Sequence, residues 1–250
     1  ESGDKTKEEL KELHSKAKGV LRDARARFNG STSLTQHARD AVDQADSYVR
    51  DKPWQGVGIG AAVGIVLGVL LFLTSKGQLW QNRAVYSLIS VLVNVFRSIP
   101  FIILIVLLIP FTKSLIGTIL GADAALPALI VGAAPFYARL VEIALREVDK
   151  GVIEAARSMG AKNRTLIFRV LLPESSPALV SGITVTLIAL VSYTAMAGVI
   201  GAGGLGNLAY LEGFQRNHSD VTLVATLTIL LIVFVIQFIG DTLTRTLDKR

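Results

Sequence analysis

The sequence predicts an all-α, polytopic membrane protein with about five transmembrane helices, preceded by a charged helical arm. Three observations carry that reading. Hydrophobic residues make up 51% of the 250, and the mean hydropathy of +0.50 is too high for an ordinary soluble domain of this length. The apolar residues fall in blocks long enough to cross a bilayer rather than in stripes. Between two of those blocks lies a basic, helix-forming stretch, EAARSMGAKNRTLIFRVLLP at 154–173, where a membrane protein has an internal loop.

Composition also excludes several classes of function. There are no cysteines, so disulfides and thiolate metal sites are ruled out. His14, His37 and His218 are scattered, and no set of metal ligands forms around them. No catalytic residues are expected, because no clustered carboxylates or nucleophile and base pair stand outside the apolar blocks. No GxxxxGK[ST] occurs, so any ATP that drives the chain is hydrolysed by a partner, and no cofactor is expected. The net charge of +6 does not point to nucleic acid, since the basic residues flank apolar blocks, where membrane orientation accounts for them.

Residues 1–53 form the arm. Eleven Lys/Arg and ten Asp/Glu crowd this segment, leaving little for a core. Leu10, Leu13, Ala17, Val20 and Ala24, then Leu34, Ala38, Ala41, Ala45 and Tyr48, recur at three- and four-residue steps, the seams of two amphipathic helices. Asn29-Gly30 separates them, and Ser33-x-x-Gln36 suits a capping box for the second. Thin, alanine-rich stripes need a partner helix, a membrane surface or each other. A cleavable signal peptide is not expected, because no short apolar core follows a basic start.

Pro53 and Trp54 mark the water–membrane boundary, and the first span occupies 54–75, from about Gly56 to Thr74. Gly56, Gly60, Gly64 and Gly68 repeat every four residues, a small-residue ridge that lets another helix approach closely. A dinucleotide loop at Gly58-x-Gly60 fails for want of a preceding strand.

The second block, Ala84–Phe111, is interrupted by Asn94, Arg97, Ser98 and Pro100. Pro100 suits the start of the membrane helix proper, with 84–96 as an amphipathic lead-in and Arg97 at the cytoplasmic interface. An arginine inside a span costs about 2.5–3.5 kcal/mol on insertion scales unless it meets protein, water or headgroups. Snorkelling to phosphates and a contact within the protein are both open.

The third block, Ala124–Leu145, contains Pro127, Gly132 and Pro135 and should kink; the fourth runs from about Pro177 to Ile200, the fifth from about Val221 to Leu243. Gly201–Gly206, GAGGLG, is too glycine-rich to stay helical and reads as a re-entrant or pore-flanking segment. Tyr193 and Met196, one turn apart among small residues, suit either a pore lining or gate, or ordinary helix packing.

Charge sets the orientation. Arg139–Arg169 holds seven basic and four acidic residues, and Arg245, Lys249 and Arg250 follow the last span, so both segments face the cytoplasm. The link with Lys76 and Arg83 is also basic; the nearly neutral 113–123 faces outward. Five spans with the tail inside put the arm outside.

The stretch at 154–173 resembles the EAA loop of permease subunits in ATP-driven importers. Glu154, Ala155, Ala156, Gly160, Val170 or Leu171, and Pro173 stand at the pattern's places. From about Leu70 to the end, the chain resembles the permeases of bacterial methionine importers, on NVFRSIPFIIL at 94–104, IPFT at 109–112, GAAPF at 132–136, SYTAM at 192–196 and GAGGLG. That resemblance implies a type I importer permease core over 84–250, with the coupling loop at about 147–173. It implies a homodimeric pore in the bacterial inner membrane. It further implies two ATPase subunits docked at the EAA loops, through Glu154, Ala155, Ala156, Arg157, Gly160 and Pro173, and a substrate-binding lipoprotein delivering methionine. Residues 1–69 resemble instead a small inner-membrane family associated with ribosomes, on YVRDKPW at 48–54 and GVGIGAAVG at 56–64. That resemblance implies a cytoplasmic arm, whereas five spans put it outside, so the chain reads as a hybrid with a replaced first span and the side of the arm stays open. The alternative is a membrane anchor or scaffold whose arm binds ribosomes or another helical partner.

Overall fold

A computed structural model of the chain describes residues 53–248, with side chains from 58 onward except at 199 and 200; the arm and its capping box lie outside the described residues. Among the described residues every regular element is helical. The spans are α1 (Pro53–Thr74), a bent pair α2 (Arg83–Ser98) and α3 (Phe101–Ile116), α4 (Ala122–Arg146), α6 (Ser176–Ala197) and α7 (Ser219–Leu247), with the short α5 (Lys150–Ser158) between α4 and α6. By length and composition α4, α6 and α7 are long and apolar enough to cross a bilayer unaided, α2 and α3 are so only when taken together as a bent pair, and Gly58–Thr74 adds a shorter apolar helix.

The core is organised around α4. Sixteen of its 25 residues are buried, against two in the 29-residue α7, so α4 is enclosed by protein while α7 turns most of its surface outward. Pro127 and Pro135 both lie inside α4 without interrupting it. α1 runs parallel to α4, and the glycine ridge is its contact face. A β-carbon at Gly60 would meet Ile130 at 3.6 Å, and at Gly64 the Ala134 carbonyl and Tyr137 at 3.0 Å. At Gly68 it would meet the Ala138 carbonyl and Val141 at 2.5 Å. Four-residue steps on both helices place ridge against groove. Gly56 lies where the structure describes backbone alone.

α2 and α3 meet at 107°, at a break formed by Ile99 and Pro100 in extended geometry. The proline disfavours a helical conformation for Ile99, which ends α2, and starts α3 itself. Asn82 caps α2, its side chain accepting from the N–H groups of Ala84 and Val85. Val93 then buries against Leu71 of α1 and Ala138 of α4, while Leu88, Leu92 and Val95 stay exposed.

One end of the bundle gathers both basic segments. Glu147, Val148, Pro173–Ala178, Leu247 and Asp248 line a single cavity of about 440 Å³, so the loop after α4 and the end of α7 lie together. At the opposite end the N–H of Gly121 donates to the carbonyl of Gly201.

Candidate functional site

Asp149 opens α5, its carboxylate accepting from the Gly151 N–H at 2.6 Å. The nine-residue helix has an inner and an outer face. Ala156 is buried and Ile153 packs on a cluster formed by Phe72 and Leu73 of α1, Tyr137, Val141 and Leu145 of α4, and Ile167 and Leu171 beyond α5. Glu154, Ala155 and Arg157 face outward. The two alanines of the triplet therefore do opposite things: Ala156 seats the helix and Ala155 leaves its outer backbone accessible.

Gly160 ends α5 with φ +81°. Its N–H donates to the Arg157 carbonyl at 2.9 Å, and the Ala161 N–H reaches back to the Ala156 carbonyl at 3.1 Å. This is a C-terminal closure of the Schellman type. Space around Gly160 is open, so the left-handed backbone, not crowding, calls for glycine. The turn exposes Met159 (83%) and, further on, Phe168 (61%), two large apolar side chains on the outer surface of the loop.

Pro173, the last residue of the EAA pattern, does not close a helix. The path winds on through Asn163–Thr165, a wide π turn at Leu166–Leu171 and Leu172–Glu174, and only a turn at Ser175 separates it from α6. The Ser175 hydroxyl and N–H both donate to the Leu171 carbonyl, holding the join. Pro173 itself is exposed.

A buried polar cluster stands one turn before the loop, and the sequence reading missed it. Glu142, fully enclosed, accepts from Arg139 at 2.5 Å and from Arg146 at 2.7 Å. The Tyr86 hydroxyl of α2 approaches the same carboxylate at 3.4 Å. Desolvating a carboxylate is costly, and three charge-assisted bonds from the two arginines offset that cost. The signal was present: Arg, Glu and Arg at three- and four-residue spacing inside an apolar block.

The structure separates Tyr193 from Met196. Tyr193 stacks on Phe101, ring centroids 4.4 Å apart and planes 7° apart, inside the cluster that joins α3, α4 and α6. Met196, one turn on, is exposed. The glycine-rich segment does retain short helical turns, Gly198–Ala202 and Gly204–Asn207, broken at Gly203. Small size lets it fold tightly onto α6: Gly206 lies against the Ala195 backbone, and the Asn207 amide donates to the Gly198 carbonyl. Ala202 to Gly206, with Ala125 and Leu129 of α4 and Thr194 of α6, line a cavity of about 370 Å³.

Arg97 stands level with Phe136 of α4. Its guanidinium carbon is 6.0 Å from the centroid of the Phe136 ring. Phe136 is ten residues before Arg146 at the end of α4, about 15 Å along the helix at the usual rise. α2 climbs along α4 from Tyr86 beside Glu142 to Phe101 beside Gly132.

Comparison with known proteins adds to this geometry. Residues 60–250 match the profile of the binding-protein-dependent transport system inner membrane component, and residues 45–73 match the DUF883 C-terminal glycine zipper region. The methionine import system permease protein MetP of Bacillus subtilis (strain 168) is 72% identical over 181 residues, 72% of this chain and 82% of that protein. The probable D-methionine transport system permease protein MetI of Pasteurella multocida (strain Pm70) is 48% identical over 188 residues, 75% of this chain and 87% of that protein. A solved structure of the MetNI methionine ABC transporter in an inward-facing conformation superposes with TM-score 0.74 at 45% identity, covering 78% of this chain and 92% of that one. An amino acid ABC transporter solved with histidines shares the fold, with TM-score 0.63 at 17% identity over 85% of this chain and 97% of that one.

Proposed function

Since the chain belongs to the family of binding-protein-dependent transport system inner membrane components, we propose that it is the permease subunit of an ATP-driven methionine importer in the bacterial inner membrane. It works as a homodimer with two copies of a separate ATPase and a substrate-binding protein. The observation that carries this reading is the 72% identity to a methionine import permease, which spans the whole of α5 and its surroundings. ATP hydrolysis belongs to the partner ATPase; this chain supplies the path and the coupling surface.

In this reading α5 seats in a cleft of the ATPase. Ala155 lets the partner approach the helix backbone, Met159 and Phe168 give apolar surface to bury, and Glu154 and Arg157 offer charges to pair. Gly160 fixes where the chain leaves the docked helix. Motion of the ATPase then reaches the spans through close packing: Ile153, Ile167 and Leu171 press on α4 and α1, and the glycine ridge holds α1 to α4. The loop, α1 and α4 thus respond as one block. Met196 is the candidate gate, and Tyr193, held by Phe101, sets the orientation of that stretch of α6.

We assign residues 1–53 to a charged arm, 54–75 to the first span and 84–250 to the permease core. The glycine-zipper likeness at 45–73 favours the anchor reading, in which the ridge serves an outside partner. The permease reading is preferred because Gly60, Gly64 and Gly68 are already taken up by α4. Uptake of labelled methionine tests it, in cells lacking their own importer and supplied with this chain, its ATPase and its binding protein. ATP-dependent uptake is expected; no uptake, with the chain present in the membrane, would overturn the reading in favour of the anchor.

A further inference from the structure

Arg97 is a cation that the coupling account leaves unused. Among the described residues it has no carboxylate within ion-pair distance and no hydrogen bond, only the face of Phe136. Its guanidinium lies about 15 Å inside the loop end of α4, near the middle of a 25-residue span. It is nonetheless exposed there. A charge at that depth needs an anionic or strongly polar partner, and it marks a path for charged cargo more readily than a lipid contact. The guanidinium faces the Phe136 ring at this level, a cation–π contact at 6.0 Å.

Three neighbours bear on what it meets. Arg97 sits at the end of α2, immediately before the break from which α3 starts without a side-chain cap. The amino end of α3 adds positive potential at the same break, secondary to the full charge of the arginine. Four residues on, Phe101 stacks on Tyr193, in the helix that carries the exposed Met196. Phe136, half-buried, offers an aromatic wall beside the cation.

We propose that Arg97 binds the carboxylate of the α-amino acid in transit, its planar fork taking the two oxygens while Phe136 borders the side chain. A guanidinium suits a carboxylate bidentately, and a thioether packs well against an aromatic ring. This rests on the permease reading, and the test separates the two.

The chain has no cysteine, so Ser98→Cys places a single thiol beside Arg97. The assembled transporter, permease with ATPase in nanodiscs, is treated with a charged thiol reagent alone, with methionine, or with methioninamide, which lacks the carboxylate. ATP-dependent methionine uptake by the same preparation in vesicles is measured alongside. Methionine should slow labelling while methioninamide does not, and adding Arg97→Gln should abolish the protection. Without the thiol, Arg97→Gln should cut uptake about tenfold or more with ATPase assembly intact, and Arg97→Lys, which keeps the charge without the fork, should lie between. Equal protection by both compounds, protection that survives Arg97→Gln, labelling that neither compound alters, or a thiol closed to reagent in every state would each overturn the assignment. If uptake by the unsubstituted chain is present, only the role of Arg97 falls; if it is absent, the permease reading falls with it.

Discussion

Gly68 of α1 stands so close to Val141 of α4 that a β-carbon added to the glycine would lie 2.5 Å from the valine β-carbon. No rotamer change relieves that, because the Ala138 carbonyl is equally near. Gly60, two turns earlier, has only ordinary contacts at 3.6 Å or beyond. Gly68→Ala should therefore force α1 off α4 and cost about 1–3 kcal/mol, as overpacking does. Gly60→Ala should be neutral or slightly stabilising, since alanine favours helix. Thermal unfolding in detergent separates them; equal midpoints for the two variants would contradict the packing described.

Glu142 supplies the second prediction. Its carboxylate is enclosed, while Arg139 and Arg146 are part-exposed at 32% and 44%. Glu142→Ala would leave two guanidinium groups without their counter-charge, and partial solvation of both places the loss at the low end for a buried pair, about 3 kcal/mol. Tyr86→Phe removes only a long contact of 3.4 Å and should cost under about 1 kcal/mol. Denaturant titration of purified protein gives both values, and an unchanged midpoint for Glu142→Ala would refute the cluster's structural role.

Tyr193 and Met196 should separate in function as they do in space. Tyr193→Phe keeps the stack on Phe101 and should leave uptake intact, whereas Tyr193→Ala should lose about 0.5–1.5 kcal/mol of stacking beyond its buried area. Met196→Ala, at an exposed position, should barely affect stability but alter the ratio of methionine moved to ATP hydrolysed. If that ratio stays fixed, Met196 is not the gate.

At the loop, Gly160→Ala should cost about 1–2 kcal/mol locally, the penalty of a side chain in left-handed backbone, without creating any clash. A proteolysis rate across 154–173 higher than in the parent would register the loosened turn; identical rates would mean that the turn tolerates a side chain.

How much of this was legible in the sequence follows from the range of the forces involved. Bilayer thickness acts on local composition, so the spans appear within a few residues of their observed bounds: Ala124–Leu145 against Ala122–Arg146, Pro177–Ile200 against Ser176–Ala197. The glycine ridge shows as a four-residue period because one helix face produces it. Gly160 was readable as a place in the EAA pattern, and the turn it makes there is a local event. Arg97 was not, since its depth depends on where α2 leans against α4. Nor was the stack of Tyr193 on Phe101, ninety-two residues apart in the chain. The path past Pro173 was not legible for a related reason: proline is tolerated in a first helical turn, and the chain through Leu166–Leu171 widens instead of stopping.

The most direct test of the central claim is coupling itself, measured as ATP-dependent methionine uptake and ATP hydrolysis on the same vesicles, for the parent chain and for Gly160→Val. A β-branched residue is badly suited to φ +81°, so the turn that positions α5 should be lost while the spans, which do not touch position 160, remain assembled. The account predicts that uptake collapses in the variant while membrane insertion and dimer formation persist. Uptake equal to the parent's, at equal hydrolysis, would show that α5 and its glycine turn do not carry the stroke from ATPase to pore.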